Sequence, residues 1–253
     1  MLGGTEYKIS KTPFPRLGGK SRLAKEIIGM FPDTKDYDTY VEPFVGAGNI
    51  FFRTVKDDNI QDIINDKDEK VILVMKALKD RPEELNKKIK RDWISKEYFE
   101  SIKGSKKPED IIAVAKTSFR GRNLNYANQE KYRKDIKTDY TKDFPERLKD
   151  TIILNNDFKK VLKDYDSPKT LFYLDPPYES KDQKDYNDYV TPEEVYSAVK
   201  DLKGFVAISY NNSDNIKNIF NKDGWYIKEL NTKYVKKGGS FEVEEFFITN
   251  YKV

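Results

Sequence analysis

The stretch richest in chemistry runs Leu171-Phe172-Tyr173-Leu174-Asp175-Pro176-Pro177-Tyr178. A run of apolar, strand-forming residues ends in a carboxylate. Two residues with fixed φ and no N–H follow, and then an aromatic. Such a turn is rigid, and its carbonyl oxygens meet no local donors. It groups Asp175, the Pro176 carbonyl and the Tyr178 ring around one small space. Acceptors without competing donors suit a ligand that offers an amino group, and the ring supplies a face for stacking.

Three more groups stand at the ends of predicted strands, where open α/β sheets bind their ligands. The first is Glu42-Pro43-Phe44-Val45-Gly46-Ala47-Gly48. Its two glycines let the backbone pass close to a ligand, although an ordinary strand–helix turn uses the same pair. The second is Asn65-Asp66, with Asp66 18 residues after Gly48. An acid at that offset hydrogen-bonds the ribose of an adenosine cofactor, or caps a helix. The third, Asp157-Phe158, pairs a carboxylate with an aromatic and suits the edge and face of an adenine ring; a plain turn with a core Phe reads the same way. By contrast, Gly19-Lys20-Ser21 copies only the end of a phosphate-binding loop. That loop needs a glycine where Phe14 stands, and a strand before it is missing.

Composition narrows the chemistry further. The chain has 253 residues, no Cys and no His. Disulfides, thiolate zinc sites, cysteine nucleophiles, Ser-His-Asp catalysis and histidine bases are therefore excluded. What remains is carboxylate, Lys, Tyr, Ser, backbone or cofactor chemistry. Hydrophobic residues make up 37% and aromatics 13%, enough for a sizeable core. No apolar run nears the roughly 18 residues of a membrane helix and no signal-peptide pattern opens the chain, so a soluble intracellular protein is expected. Net charge is +4, unevenly spread. Residues 76–150 hold 21 Lys/Arg against 14 Asp/Glu, while the remainder is slightly acidic. One segment facing a polyanion explains this, as does a solvated lysine-rich surface.

The elements needed to position these groups follow an α/β rhythm. A glycine turn at 19–21 opens an amphipathic helix through Leu23, Ile27 and Met30. Strands are expected at Tyr37–Val45 and Gln61–Asn65, then a helix from Asp68 to Leu78. From 80 to 150 the rhythm stops. Helical patterns at 82–91, 95–102 and 108–119 precede a long basic and aromatic loop or hairpin over 120–142. The rhythm then resumes with strands at Thr151–Asn155 and Thr170–Asp175. A helix at Thr191–Lys203, capped by Thr191 with Pro192 behind it, leads to a buried strand at Gly204–Tyr210. A short helix at Ser213–Asn221 and a hairpin, Trp225–Leu230 with Val243–Tyr251, close the chain. The expected organisation is an α/β domain of 1–79 and 151–253 interrupted by a helical insert, 80–150.

Taken in order along nearly the whole chain, these motifs resemble the Dam-type DNA N6-adenine methyltransferases, the α-group of amino-methyltransferases. Pro13 to Lys20 is similar to the N-terminal Gly-Gly-Lys motif, EPFVGAG to the cofactor loop, and DPPY at 175–178 to the catalytic motif. VAISYNNS at 206–213 resembles a downstream strand. Arg16-Leu17 stand where the family has an aromatic, and the insert lacks the segment of GATC-methylating members.

The resemblance implies a Rossmann-like S-adenosylmethionine-dependent fold with a target-recognition insert at 80–150. It implies Asp175, Pro176, Pro177 and Tyr178 as catalytic residues. Arg16, Gly19, Lys20, Glu42, Pro43, Phe44, Gly46, Gly48, Asp66, Asp157, Phe158 and Asp175 are its cofactor residues, with Asp66 on the ribose and Asp157-Phe158 on the adenine. The implied partner is double-stranded DNA, with a cognate restriction endonuclease possible. No metal is required. Within the insert, Arg120, Arg122, Asn123, Asn125 and Tyr126 have the donors and ring to read base edges, and Lys131, Arg133 and Lys134 suit phosphates. Rival readings are an N4-cytosine, RNA or protein-glutamine methyltransferase, or a catalytically silent DNA-binding or anti-restriction module. Asp rather than Asn at 175 argues against glutamine, and the intact DPPY against decay.

Overall fold

The fold was analysed in a computed structural model that describes residues 11–89, 94–118, 121, 123–127, 138–177, 189–236 and 239–253. Its strands form a seven-stranded, Rossmann-like sheet in the order β3-β2-β1-β4-β5-β7-β6. The central strand, β4 (Thr170–Leu174), is buried at all five positions, as a parallel strand covered on both faces must be. β1 (Thr39–Glu42) and β5 (Phe205–Asn211) flank it in parallel, with Val41 opposite Phe172 and Phe172 opposite Val206. β2 (Gln61–Asn65) runs parallel to β1. The last two strands, β6 (Tyr226–Lys236) and β7 (Gly239–Thr249), form a hairpin, and β7 joins β5 antiparallel.

β2 keeps the bounds expected from sequence, whereas β1 is shorter than Tyr37–Val45. Pro43 has no N–H to give to a ladder, so the strand ends at Glu42. The first helix is also short. α1 (Ala24–Ile28) has Leu23 at its cap position with no side-chain cap, and the residues from Ser21 to Leu23 form turns. The expected apolar stripe still points inward, since Leu23, Ile27 and Met30 are buried.

Helix α2 (Glu69–Asp80) buries Val71, Ile72, Val74, Met75 and Leu78, and Asp68 caps it by accepting from Lys70 N–H. In the insert, α3 (Pro82–Lys88) and α5 (Pro108–Thr117) start on proline, and Ser95 caps α4 (Lys96–Ile102). A further helix, α6 (Asp143–Leu148), has no counterpart in the sequence reading. It is under two turns long and carries Pro145, yet it buries Phe144, Arg147 and Leu148. β3 (Ile152–Leu154) precedes α7 (Phe158–Asp164), where a plain turn was one of the expectations. The Phe158, Val161, Leu162 spacing was its signal. α8 (Pro192–Val199) opens with a complete capping box between Thr191 and Glu194, and α9 (Asp214–Phe220) is capped by Ser213.

Internal contacts group the chain into two units. One comprises Met1–Ser21, Val45–Asp58 and Asp66–Asn155, and so contains all of 80–150. The other comprises Arg22–Phe44, Asn59–Asn65 and Asn156–Val253.

Candidate active site

In the second unit, β4 delivers Asp175 half-buried at its end, followed by a buried Pro176 and an exposed Pro177. Tyr178 lies outside the described residues. One residue before Asp175, the register pairs Leu174 with Ile208, which sets Ser209 and Tyr210 of β5 alongside the DPP turn. The Tyr173 and Ser209 hydroxyls hydrogen-bond at 2.8 Å in the interior. Tyr210 is fully buried. Burial first, then Tyr189, Glu193 and Asp175, push its hydroxyl far above the ordinary phenol range, so it stays a neutral O–H next to the Asp175 charge.

At the end of β1, Glu42 is 2% exposed and accepts from the Tyr40 hydroxyl at 2.5 Å. A carboxylate that deep in the chain is stabilised by such a donor. Burial and the Glu42 charge in turn push the Tyr40 hydroxyl well above its usual range. Asn65, at the end of β2, links two neighbouring strand-end loops. Its Nδ2 donates to Pro43 O at 2.9 Å and to Asn156 O at 3.1 Å, and its Oδ1 accepts from Asn156 N–H at 2.8 Å. Phe44 and Phe158 lie with ring centroids 5.0 Å apart. Asp157 is exposed and caps α7 by accepting from Lys159 N–H at 2.9 Å.

The first unit carries the glycine turn. Gly46 and Gly48 both have positive φ, +51° and +74°, which L side chains adopt at a cost. A Cβ on Gly48 would sit 2.5 Å from the Phe52 ring, so backbone alone fits there. The turn is braced from Asp66: Gly46 N–H donates to Oδ2 at 2.8 Å and Asp68 N–H to Oδ1 at 2.9 Å. Asp68, rather than Asp66, caps α2, which removes the helix-cap reading of Asp66. Burial lifts the Asp66 carboxyl above its usual range; Arg16 and the two N–H donors pull it back in part. Arg16 pairs with Asp68 at 2.8 Å. Lys20 is 3% exposed, and its Nζ donates to Gly18 O at 3.2 Å. Gly19 packs on Asn49, where a Cβ would meet the side-chain amide at 2.5 Å.

Of the residues expected to meet DNA, Arg120, Arg122, Lys131, Arg133 and Lys134 lie outside the described residues. Asn125 is exposed beside an exposed Leu124. Asn123 takes φ +60° and its N–H donates to Ser118 Oγ at 3.1 Å. Tyr126 turns into the helical cluster: its hydroxyl donates to Ile94 O at 2.5 Å and its ring meets Phe99 edge-on, 5.7 Å between centroids. A bridge from Ser118 to Tyr126 closes the base of this segment. Sequence reasoning missed the linking role of Asn65 and the buried Tyr210. The signals were a lone Asn inside an apolar strand end and a Tyr one strand over from DPP.

In one unit a carboxylate–proline turn ends the buried strand β4, and in the other an acid 20 residues on braces a glycine turn. The family follows from sequence comparison. A model of the D12 class N6 adenine-specific DNA methyltransferases matches residues 17–235, and the chain belongs to that family. It is 24% identical over 281 residues to the Type II methyltransferase M1.LlaDCHI of Lactococcus lactis subsp. cremoris, covering 96% of this chain and 97% of that one. It is 28% identical over 182 residues to the Type II methyltransferase M.CviBI of Paramecium bursaria Chlorella virus NC1A, covering 64% and 67%. Among solved structures, a precorrin-6y C5,15-methyltransferase from Geobacter metallireducens GS-15 aligns at TM-score 0.45 and 11% identity, covering 100% of this chain and 99% of that one. No described helix is long and apolar enough to cross a membrane.

Proposed function

We propose that the chain transfers a methyl group from S-adenosylmethionine to the exocyclic N6 of adenine in duplex DNA. The observation that carries this reading is the Asp175-Pro176-Pro177 turn at the end of the fully buried β4, within the stretch matched to the family. Asp175 and the Pro176 carbonyl accept the two N–H bonds of the amine. Adenine N6 is a poor nucleophile because its lone pair is delocalised into the ring, and two acceptors bias the nitrogen towards tetrahedral geometry. Tyr178 stacks on the base once it has left the helix, offsetting the few kcal/mol that flipping costs.

The cofactor residues suit the donor: Gly46 and Gly48 take positive φ that L side chains adopt at a cost, and a Cβ on Gly46 would meet no atom nearer than 3.7 Å. Asp66 holds the ribose hydroxyls with the lone pairs left after bracing Gly46, and Phe44, Asp157 and Phe158 take the adenine. Glu42, Pro43, Arg16, Gly19 and Lys20 hold the remainder. When bound, S-adenosylmethionine supplies an already activated methyl, so no metal, His or Cys is needed.

Residues 1–79 and 151–253 serve catalysis and 80–150 serves recognition of duplex DNA. Arg120, Arg122, Asn123 and Asn125 read bases, and Lys131, Arg133 and Lys134 hold phosphates. Tyr126, committed to the helical cluster, supports this segment from below. The reading includes a cytoplasmic location and allows a cognate restriction endonuclease in the same system, with no stable protein partner required. The test is transfer of labelled methyl to plasmid DNA, followed by nucleoside mass spectrometry. N6-methyl-2′-deoxyadenosine supports the proposal. Label in cytosine or RNA, or cofactor binding without transfer, refutes it in favour of the corresponding rival.

A further inference from the structure

β1 and β2 run in register up to Glu42 and Ile64, which sets Pro43 level with Asn65, the last residue of β2. Pro43 has no N–H, so the ladder cannot continue there and its carbonyl needs another donor. The Asn65 side chain supplies it. Its Nδ2 donates to Pro43 O at 2.9 Å and to Asn156 O at 3.1 Å, and its Oδ1 accepts from Asn156 N–H at 2.8 Å. Asn65 is 1% exposed, and a carboxamide is the group that can satisfy two carbonyls and one N–H at once. Pro43 precedes Phe44, and Asn156 precedes Asp157 and Phe158, so the tie grips the chain within two residues of each ring. Phe158 is buried and Phe44 half-buried, with centroids 5.0 Å apart and planes tilted by 38°. A base held between two rings would need them roughly 7 Å apart, two layers of carbon contact. At 5.0 Å the two rings touch each other instead.

We infer that Asn65 is a positioning residue for the base end of the cofactor site: it locks Phe44 and Phe158 into a single two-ring platform, on one side of which the adenine of S-adenosylmethionine stacks. This rests on the function proposed above and names the residue that shapes its adenine subsite. Loops left free would have to be ordered when the cofactor binds, and that ordering would be subtracted from its affinity. Three hydrogen bonds from one buried amide hold both loops in place before the cofactor arrives. The polar atoms of the Asn65 side chain are all committed to the two loops, so it acts through Phe44 and Phe158 and not on the cofactor itself.

The test measures the Kd of the full chain for S-adenosylmethionine by calorimetry, and kcat on plasmid DNA at saturating cofactor. Asn65→Asp keeps the shape and the acceptor for Asn156 N–H, but turns an oxygen towards two carbonyls. It should raise the cofactor Kd roughly three- to thirtyfold, within the span of two neutral hydrogen bonds, and lower kcat by a smaller factor. Asn65→Ala, which buries no charge, should raise Kd in the same range. Phe44→Leu removes one ring of the platform. In that background Asn65→Asp should raise Kd by a smaller factor than it does alone, since both changes act on the same element. Ile216→Val, in α9 of the same unit, controls for stability: it should lower the melting temperature without moving the cofactor Kd. An unchanged Kd in both Asn65 variants overturns the inference, as do equal factors with and without Phe44 or an equal rise in Ile216→Val. Failure of the wild type to bind S-adenosylmethionine overturns the proposed function itself, and the inference with it.

Discussion

Replacing Asp66 by Asn separates bracing from binding at the glycine turn. The carboxylate takes Gly46 N–H on one oxygen and Asp68 N–H on the other, at 2.8 and 2.9 Å. An amide has one oxygen, so one of these donors will face an NH2 group. Losing a hydrogen bond to a charged acceptor costs about 1.5–3 kcal/mol. Part of this is returned, because burial disfavours the ionised Asp66 and Asn carries no charge. A net loss of about 1–2 kcal/mol lowers Tm by roughly 2–8 °C in a chain of this size. The cofactor Kd should rise about tenfold or more, since the ribose hydroxyls lose a charged acceptor. There is also a pH signature. With the folded pKa raised above the unfolded one, ionised Asp66 withholds stability above that pKa. The contribution is recovered as pH falls through the raised value towards the ordinary aspartate value. The difference in Tm between wild type and Asp66→Asn should therefore grow on acidification through that window. Scanning calorimetry and isothermal titration at several pH values measure all three effects. Unchanged Tm and unchanged cofactor affinity would refute both roles of Asp66.

Three further substitutions test separate parts of the site. Asp175→Ala should lower methyl transfer by about 10²–10⁴-fold while leaving cofactor binding largely intact, and retention of more than about a tenth of turnover would remove Asp175 from the chemistry. Gly48→Ala, at φ +74° and facing a Phe52 that is fully buried, should cost about 1–3 kcal/mol by denaturant titration; pairing it with Phe52→Leu should return part of the loss. Arg120→Ala with Arg122→Ala should relax the choice of methylated site in sequencing of treated DNA. Lys131→Ala with Lys134→Ala should weaken all duplexes alike and flatten the salt dependence of binding.

Local signals carried much of the architecture. Gln61–Asn65 reads as a strand from its apolar run, and the Thr191-Pro192-x-Glu194 pattern announces the start of α8 before any contact is known. The DPPY and glycine motifs likewise fall where strands end. Local signals failed where distant residues decide. Whether Asp66 or Asp68 caps α2 depends on Gly46, 20 residues upstream of Asp66, claiming the first carboxylate. The linking of Pro43 and Asn156 by Asn65 joins loops 113 residues apart in sequence, and the Tyr140–Pro13 bond spans 127. No periodicity records such pairs. Tyr126 shows the same limit from the other side: an aromatic in a basic loop suits a base, until Phe99 and Ile94 occupy its ring and hydroxyl.

The parallel pairing of β1 with β4 has a consequence for how members of such a family come to differ. Thr39 lies opposite Thr170, so this pairing closes a loop of about 130 residues that contains the whole of 80–150. The entropy of closing a flexible loop grows only with the logarithm of its length. Lengthening that loop by another 70 residues would add about 0.4 kcal/mol to the closure cost, less than a single buried methylene is worth. The sheet is thus nearly indifferent to how much chain is threaded through this one gap. A lineage can lengthen, trim or replace its reading segment while the strand ends that do the chemistry stay in register.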